Sequence, residues 1–350
     1  MPIHALYALS AALLFGMATP LAKLLLVSVH PLMLAALLYL GSGIGLACVL
    51  GLWRQSRTLP KGAEWVWLAG AVLVGGVVGP VLLMLGLQGF SASGASLLLN
   101  SEGVLTALLA WYVFKENFDR RIALGMLAIL AGALVLGWPG ISGLSSLSGG
   151  SGYSAALIVA ACLAWAIDNN LTRKVALVDA GFIAMAKGLA AGSVSLGLAW
   201  ANGAVLPAHG VIAQVALLGF ASYGVSLVLF VLALRHLGTA RTGAYFSVAP
   251  FAGAVLSVWL LDEPVTPQLL WGGALMAVGV LLHLVERHAH SHQHAALAHD
   301  HAHTHGADPH HEHAHETPVA AHTRHSHWHQ HTPLEHSHAH FPDAHHRHKH

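Results

Sequence analysis

The chain has 350 residues, 55% hydrophobic and 9% charged, with a formal net charge of +1, whereas soluble domains are about 25% charged. Its basic residues are sparse and unclustered, which excludes the patches that nucleic-acid binding needs. No soluble core hides so many consecutive apolar residues, so most of the chain belongs in a membrane.

That average covers two unlike parts. Residues 1–287 are almost wholly apolar, whereas residues 288–350 hold 24 of the 29 histidines and few large apolar side chains. Residues 1–5 lack a charged leader region and the apolar run continues to Val27, so the start reads as a first span and not as a cleavable signal. Ten segments long enough to cross a ~30 Å hydrocarbon core follow, at 4–27, 31–53, 63–86, 91–114, 120–138, 153–172, 180–201, 211–234, 241–261 and 266–285. Pro31, Pro60, Pro139 with Gly140, and Pro264 with Pro267 punctuate them. Cys48 and Cys162 lie in separate apolar runs and read as packing residues.

The chain echoes itself. Phe15-Gly-Met-Ala-Thr-Pro-Leu-Ala-Lys23 aligns with Trp165-Ala-Ile-Asp-Asn-Asn-Leu-Thr-Arg173 at an offset of 150 residues, and 94–116 resembles 241–263 at an offset of 147. The predicted organisation is a five-helix repeat over 1–138, a Gly/Ser-rich connector at 139–152, a second repeat over 153–287 and a disordered tail over 288–350. Placing the N-terminus in the cytoplasm puts eleven of the thirteen Lys and Arg before the tail in inner loops and none in outer loops. Five spans per half is an odd number, so the halves run in opposite directions. That arrangement builds transporters with a midplane site between the repeats. The predicted fold is therefore an all-α membrane protein of ten transmembrane helices, multi-pass in the plasma (inner) membrane, both termini cytoplasmic.

Polar residues inside spans are the candidate site. An Asp at mid-span costs about 2.5–3.5 kcal/mol on insertion scales, so it faces protein or a wet cavity. Asp168, Asn169 and Asn170 fulfil this description on the sixth span, where Asp168 shares a face with Trp165 and Thr172. Asp168 binds substrate or a coupling proton, or else it is the buried partner of Lys187. Glu102, with Asn100 two residues before it, lies near the middle of the fourth span and is a second carboxylate for a proton or a cationic solute. Lys23 in the first span attracts an anionic group or snorkels to the interface. Tyr223 and Tyr245, with Trp165, are candidate walls of a solute cavity. Gly41-x-x-x-Gly45, Gly75-x-x-x-Gly79 and Gly188-x-x-x-Gly192 allow close helix approach. No signature of a metalloprotease, a hydrolase elbow, a phosphate loop or a dinucleotide fold is present, so no enzyme is expected.

Both halves resemble the EamA-type unit of the drug/metabolite transporter superfamily over about residues 5–285. The resemblance rests on the Phe/Trp-Gly/Ala…Pro…Lys/Arg first helix, on Glu116 and Glu263 at the ends of the fourth and ninth spans, and on the Gly/Ala-rich spans after them. Pro250 stands where the family favours proline, but its first-half counterpart is Gly103, and Asn170 replaces the Pro20 of the first helix. The resemblance implies secondary transport or export of a small organic solute, with no required cofactor.

The tail repeats His-x-His at His288, His290, His292 and His294, at His299, His301, His303 and His305, and around His310, His311, His313 and His315. Imidazole is a good ligand for Zn, Ni, Co and Cu. The tail is thus a metal-binding candidate, and a transition-metal transporter is the alternative function. Expected partners are membrane lipid, a small-molecule substrate and those metal ions, with a homodimer as the candidate assembly.

Overall fold

The computed structural model describes residues 3–52, 59–114, 120–138, 151–175, 178–284, 289–294, 297–304, 324–331 and 334–339. The chain divides into two compact units, Met1–Glu286 and Arg287–His350. Among its described residues the first unit is all-helical, as a chain immersed in lipid must be when each backbone N–H and C=O needs an internal partner. In chain order come α1 (Ile3–Gly16), α2 (Ala18–Leu25), α3 (Pro31–Leu52), α4 (Glu64–Ala71), α5 (Gly79–Gln88), α6 (Ala92–Leu98) and α7 (Ser101–Phe114). There follow α8 (Arg120–Gly137), α9 (Ser151–Thr172), α10 (Ala180–Ala201), α11 (His209–Gly219), α12 (Ser226–Phe246), α13 (Ala249–Leu260) and α14 (Pro267–Leu284). A π-helical stretch, Val72–Val78, joins α4 to α5, and a second, Phe220–Val225, joins α11 to α12.

Among the described residues, seven helical stretches are long and apolar enough to cross a membrane, from Ile3–Leu25 to His209–Ala233. Ala249–Leu260 and Pro267–Leu282 are shorter apolar helices. This is a multi-pass membrane protein. Two predicted boundaries shift. The segment 91–114 is two helices, because Asn100 turns its amide onto Leu97 O (3.0 Å), the same carbonyl its own backbone N–H uses, and ends α6. The break expected between 234 and 241 falls instead at Ser247–Val248, just before Pro250, and α12 runs through the earlier stretch. Gly238 is alone there, and one glycine costs only about 1 kcal/mol in a helix.

In the second unit, where the sequence predicts a disordered tail, β1 (Ala289–His294) pairs antiparallel with β4 (Leu334–Ala339) and β2 (Leu297–Thr304) with β3 (Arg324–His331). The His-x-His alternation has the two-residue period of a strand.

The helices of the first unit interleave. α3 packs along α10, α8 along α14 and α6 against α13, while α1 meets α12 and α13 as α9 meets α5 and α7. Exchanging the two halves carries these pairings onto one another. Glycine permits the closest crossings: a Cβ on Gly43 would lie 2.5 Å from Leu189 N, and one on Gly188 2.7 Å from Gly43 Cα. The α8–α14 seam repeats the device with Gly132 and Gly279, whose added Cβ atoms would meet the facing carbonyls of Gly272 and Gly125 at 2.7 and 2.6 Å. Without a hydrophobic effect between helices in lipid, this close packing supplies the attraction.

Gly188→Leu should therefore force α3 and α10 apart and cost more than the ~1–3 kcal/mol of ordinary overpacking. Gly197→Leu, on the same helix with nothing within 4 Å of its Cβ position, is the control. Thermal unfolding in detergent should separate the two; equal melting temperatures would contradict the packing account.

Candidate functional site

The site is built on α9. Asp168 is buried, accepts a hydrogen bond from Thr172 Oγ1 at 3.0 Å, and takes the Lys187 ammonium of α10 as an ion pair on its other oxygen. The face shared by Asp168 and Thr172 is the one the helical period predicts. Its neighbour across the interface is Gly75 in the first π-helical stretch, where any side chain would collide with the Asp168 carboxylate. A π turn moves backbone hydrogen bonds from i→i−4 to i→i−5. Side chains take the Gly75 carbonyl at this turn: Trp165 Nε1 donates to it at 2.9 Å and Tyr39 OH at 3.3 Å.

The next residue of α9, Asn169, reaches α7. Its amide donates to Glu102 Oε1 at 2.9 Å and to Thr106 Oγ1 at 3.4 Å. Asn170 donates to Ala166 O at 2.9 Å and to Thr106 O at 3.4 Å, fastening α9 to α7. Glu102 and Lys187 are partly accessible and Asn169 is exposed. Asp168, Asn169, Glu102, Lys187 and Trp165 thus form one cluster, with α7, α9, α10 and the π-helical turn meeting at it; the sequence alone gives no sign that Asp168 and Glu102 lie together.

Tyr223 belongs to the second π-helical stretch. Its ring lies 5.6 Å from Tyr39 and 6.0 Å, edge-on, from Phe15. The chain of rings continues through Phe246, 5.5 Å from Phe15 and 4.8 Å from Phe230. The described ring contacts run through Phe246, and its neighbour Tyr245 is half-buried beside them.

Lys23 and Asn100 do different work. Lys23 Nζ donates to the carbonyls of Leu87 (2.5 Å), Gln88 (3.1 Å) and Phe90 (2.9 Å), so its three donors close the C-terminal end of α5. Beyond the turn, the Glu263 carboxylate accepts from Ala92 N (2.6 Å), Ser93 N (2.9 Å) and Ser93 Oγ (2.5 Å) and caps α6. The α5–α6 turn is held from both sides by a cation on carbonyls and an anion on amides, each at the helix end its charge favours. Beside it lies a cleft of about 250 Å³ with Glu263, Trp138 and Gln268 on its wall. Sequence reasoning places Glu263 at a helix end; its reach across 170 residues to Ser93 has no local signal. Asn100 serves the α6–α7 break.

The profile of the EamA-like transporter family matches residues 2–138 and, a second time, residues 152–285. The chain belongs to the EamA-like transporter family. It is 27% identical over 289 residues to an uncharacterized transporter of Methanothermobacter thermautotrophicus, covering 78% of this chain and 84% of that one. A second uncharacterized transporter, from Archaeoglobus fulgidus, is 25% identical over 240 residues, 67% of this chain and 82% of the other. A protein of known crystal structure shares the fold with a TM-score of 0.60 at 21% identity, over 81% of this chain and 98% of that one. Family and relatives support a transporter.

For the EamA-like chain's predicted metal ligands, His288, His305, His310, His311, His313 and His315 lie outside the described residues. His290, His292, His294, His299, His301 and His303 fall on β1 and β2. Among the described residues no group of three His, Cys, Asp or Glu is placed to hold a metal ion.

Removing one partner of a buried ion pair strands the other, at about 3–5 kcal/mol. Asp168→Asn and Lys187→Met should each lower stability by about that much, and the double variant should recover most of it. Denaturation in detergent micelles measures the cycle; a double variant as unstable as the sum of the singles would show that the two do not act as a pair.

Proposed function

We propose that the protein is a secondary active transporter that exports a small organic solute across the plasma membrane, by alternating access between two inverted five-helix halves. The observation that carries this reading is the cluster Asp168–Lys187 and Glu102–Asn169, charged and partly accessible, where helices of both halves meet within apolar spans. Ionisable residues at membrane depth are costly and mark substrate or ion pathways. The exchange symmetry of the helix contacts and the double match to one family profile support a repeat. An odd number of spans per half makes it an inverted one. The broken α6–α7 element and the two π-helical stretches are the discontinuities at which such carriers place their sites.

With most of the Lys and Arg before the tail on the inner side and none in outer loops, both termini are cytoplasmic and the Lys23–Glu263 clamp closes the outer end of the α5–α6 hairpin. Glu102, Thr106 and Asn169 lie on the cytoplasmic side of that clamp. The outward swing releases the clamp, and its six hydrogen bonds make the closed state a discrete one. We propose that the His-x-His segment binds Zn, Ni, Co or Cu.

The test is release of isotopically labelled small metabolites from proteoliposomes. One solute or a few should leave faster than from protein-free liposomes. The charge-balanced Asp168→Asn, Lys187→Met variant should slow that release at least about tenfold, and truncation after residue 287 should leave it unchanged. If no solute moves through folded protein, the transport reading is contradicted.

A further inference from the structure

The α8–α14 seam ends in a cleft. The two helices run in opposite directions, since Gly132 faces Gly272 and Gly125 faces Gly279. Gly125 lies near the start of α8 and Gly279 near the end of α14. Past that contact the helices enclose a cleft of about 230 Å³, lined by Arg121 of α8 and by Val278, Leu281 and Leu282 of α14.

The walls are of two kinds. Val278, Leu281 and Leu282 are aliphatic, and the first two are exposed, a surface that a hydrocarbon chain matches. Arg121 is exposed as well, with Arg120 exposed beside it. Neither helix carries an Asp or Glu, and these two arginines are their only Lys or Arg. The charge that the pair brings to this end of the seam is therefore positive, and a guanidinium presents the planar fork of donors that suits a phosphate.

A small anion would use the arginine and gain nothing from the three aliphatic walls. A neutral hydrocarbon would use the walls and leave the guanidinium unused, and a zwitterionic lipid would bring its own cation to the arginines. An amphiphile with an anionic head uses both kinds of wall. We infer that an anionic phospholipid docks in this cleft, its acyl chain along Val278, Leu281 and Leu282 and its phosphate on Arg121, with Arg120 adding to the positive field. Basic pockets between transmembrane helices on the cytoplasmic side bind anionic head groups in this way, and the orientation proposed above puts this end of the seam in the inner leaflet. The inference does not depend on the transport reading.

Native mass spectrometry of the full-length protein, released from detergent micelles, tests it by reading bound lipid and oligomeric state together. The probes are dioleoyl phosphatidylglycerol, dioleoyl phosphatidylcholine with the same chains, and glycerol 3-phosphate, the head group without chains. The first phosphatidylglycerol should bind at least about tenfold more tightly than phosphatidylcholine, and glycerol 3-phosphate should not displace it. Arg121→Gln should reduce that preference at least about fivefold. The preference is a ratio of two lipids on one variant, so a loss of stability does not imitate its loss. Val278→Trp, which fills the cleft and keeps both arginines, should weaken phosphatidylglycerol at least about tenfold. Equal binding of the two lipids, displacement by glycerol 3-phosphate, an unchanged preference in Arg121→Gln or undiminished binding in Val278→Trp overturns the inference. So does a lipid-free dimer that Val278→Trp dissociates, which would give the cleft to a second copy of the chain.

Discussion

A chain in hydrocarbon has no water to finish its backbone hydrogen bonds, so wherever a helix is broken something in the protein must take the freed groups. The rest of this fold follows from how that is done. Lys23 takes the carbonyls at the end of α5, and Glu263 takes the amides at the start of α6. Trp165 and Tyr39 share the carbonyl of Gly75 in the π-helical turn, and Ser226 Oγ donates to Ala11 O at 2.8 Å. The contacts of Glu263, Trp165 and Ser226 run from one half of the chain to the other. Breaking the helices therefore ties the halves together, and repeated glycines let the backbones come close enough for short side chains to reach.

The same constraint positions the charges. Gly75 brings the π-helical turn against α9, leaving Asp168 no room for water on that side and making Lys187 and Thr172 its partners. Once Asp168 is satisfied, Glu102 is the carboxylate with capacity to spare. It sits where α7 begins anew after the Asn100 break, held at one oxygen by Asn169. Asp168 is thus held at both of its oxygens and Glu102 at one.

Much of this is legible in the sequence. The apolar runs, the offset echo of Phe15–Lys23 in Trp165–Arg173 and the glycine spacings give the helices, the duplication and the close crossings. Asp168 and Glu102 stand out because carboxylates are expensive at that depth. What escapes is long-range or subtle in period. A π turn needs one extra residue in an apolar stretch, and neither Val72–Val78 nor Phe220–Val225 carries a composition that marks it. The role of Lys23 depends on the carbonyls of Leu87, Gln88 and Phe90, more than sixty residues away, so the chain alone shows a cation in a span and not what it serves. The continuity of α12 past Arg235 reflects the absence of proline before Pro250.

We propose that the Lys23–Glu263 clamp controls access to Glu102. The most direct measurement is side-specific labelling of Gly103→Cys by a membrane-impermeant thiol reagent, in a chain whose own Cys48 and Cys162 are replaced. With the clamp intact, labelling should proceed from the cytoplasmic face; adding Lys23→Met and Glu263→Gln should open the same position to reagent from outside. Fast labelling from outside with the clamp intact, or no change when both residues are replaced, would contradict it.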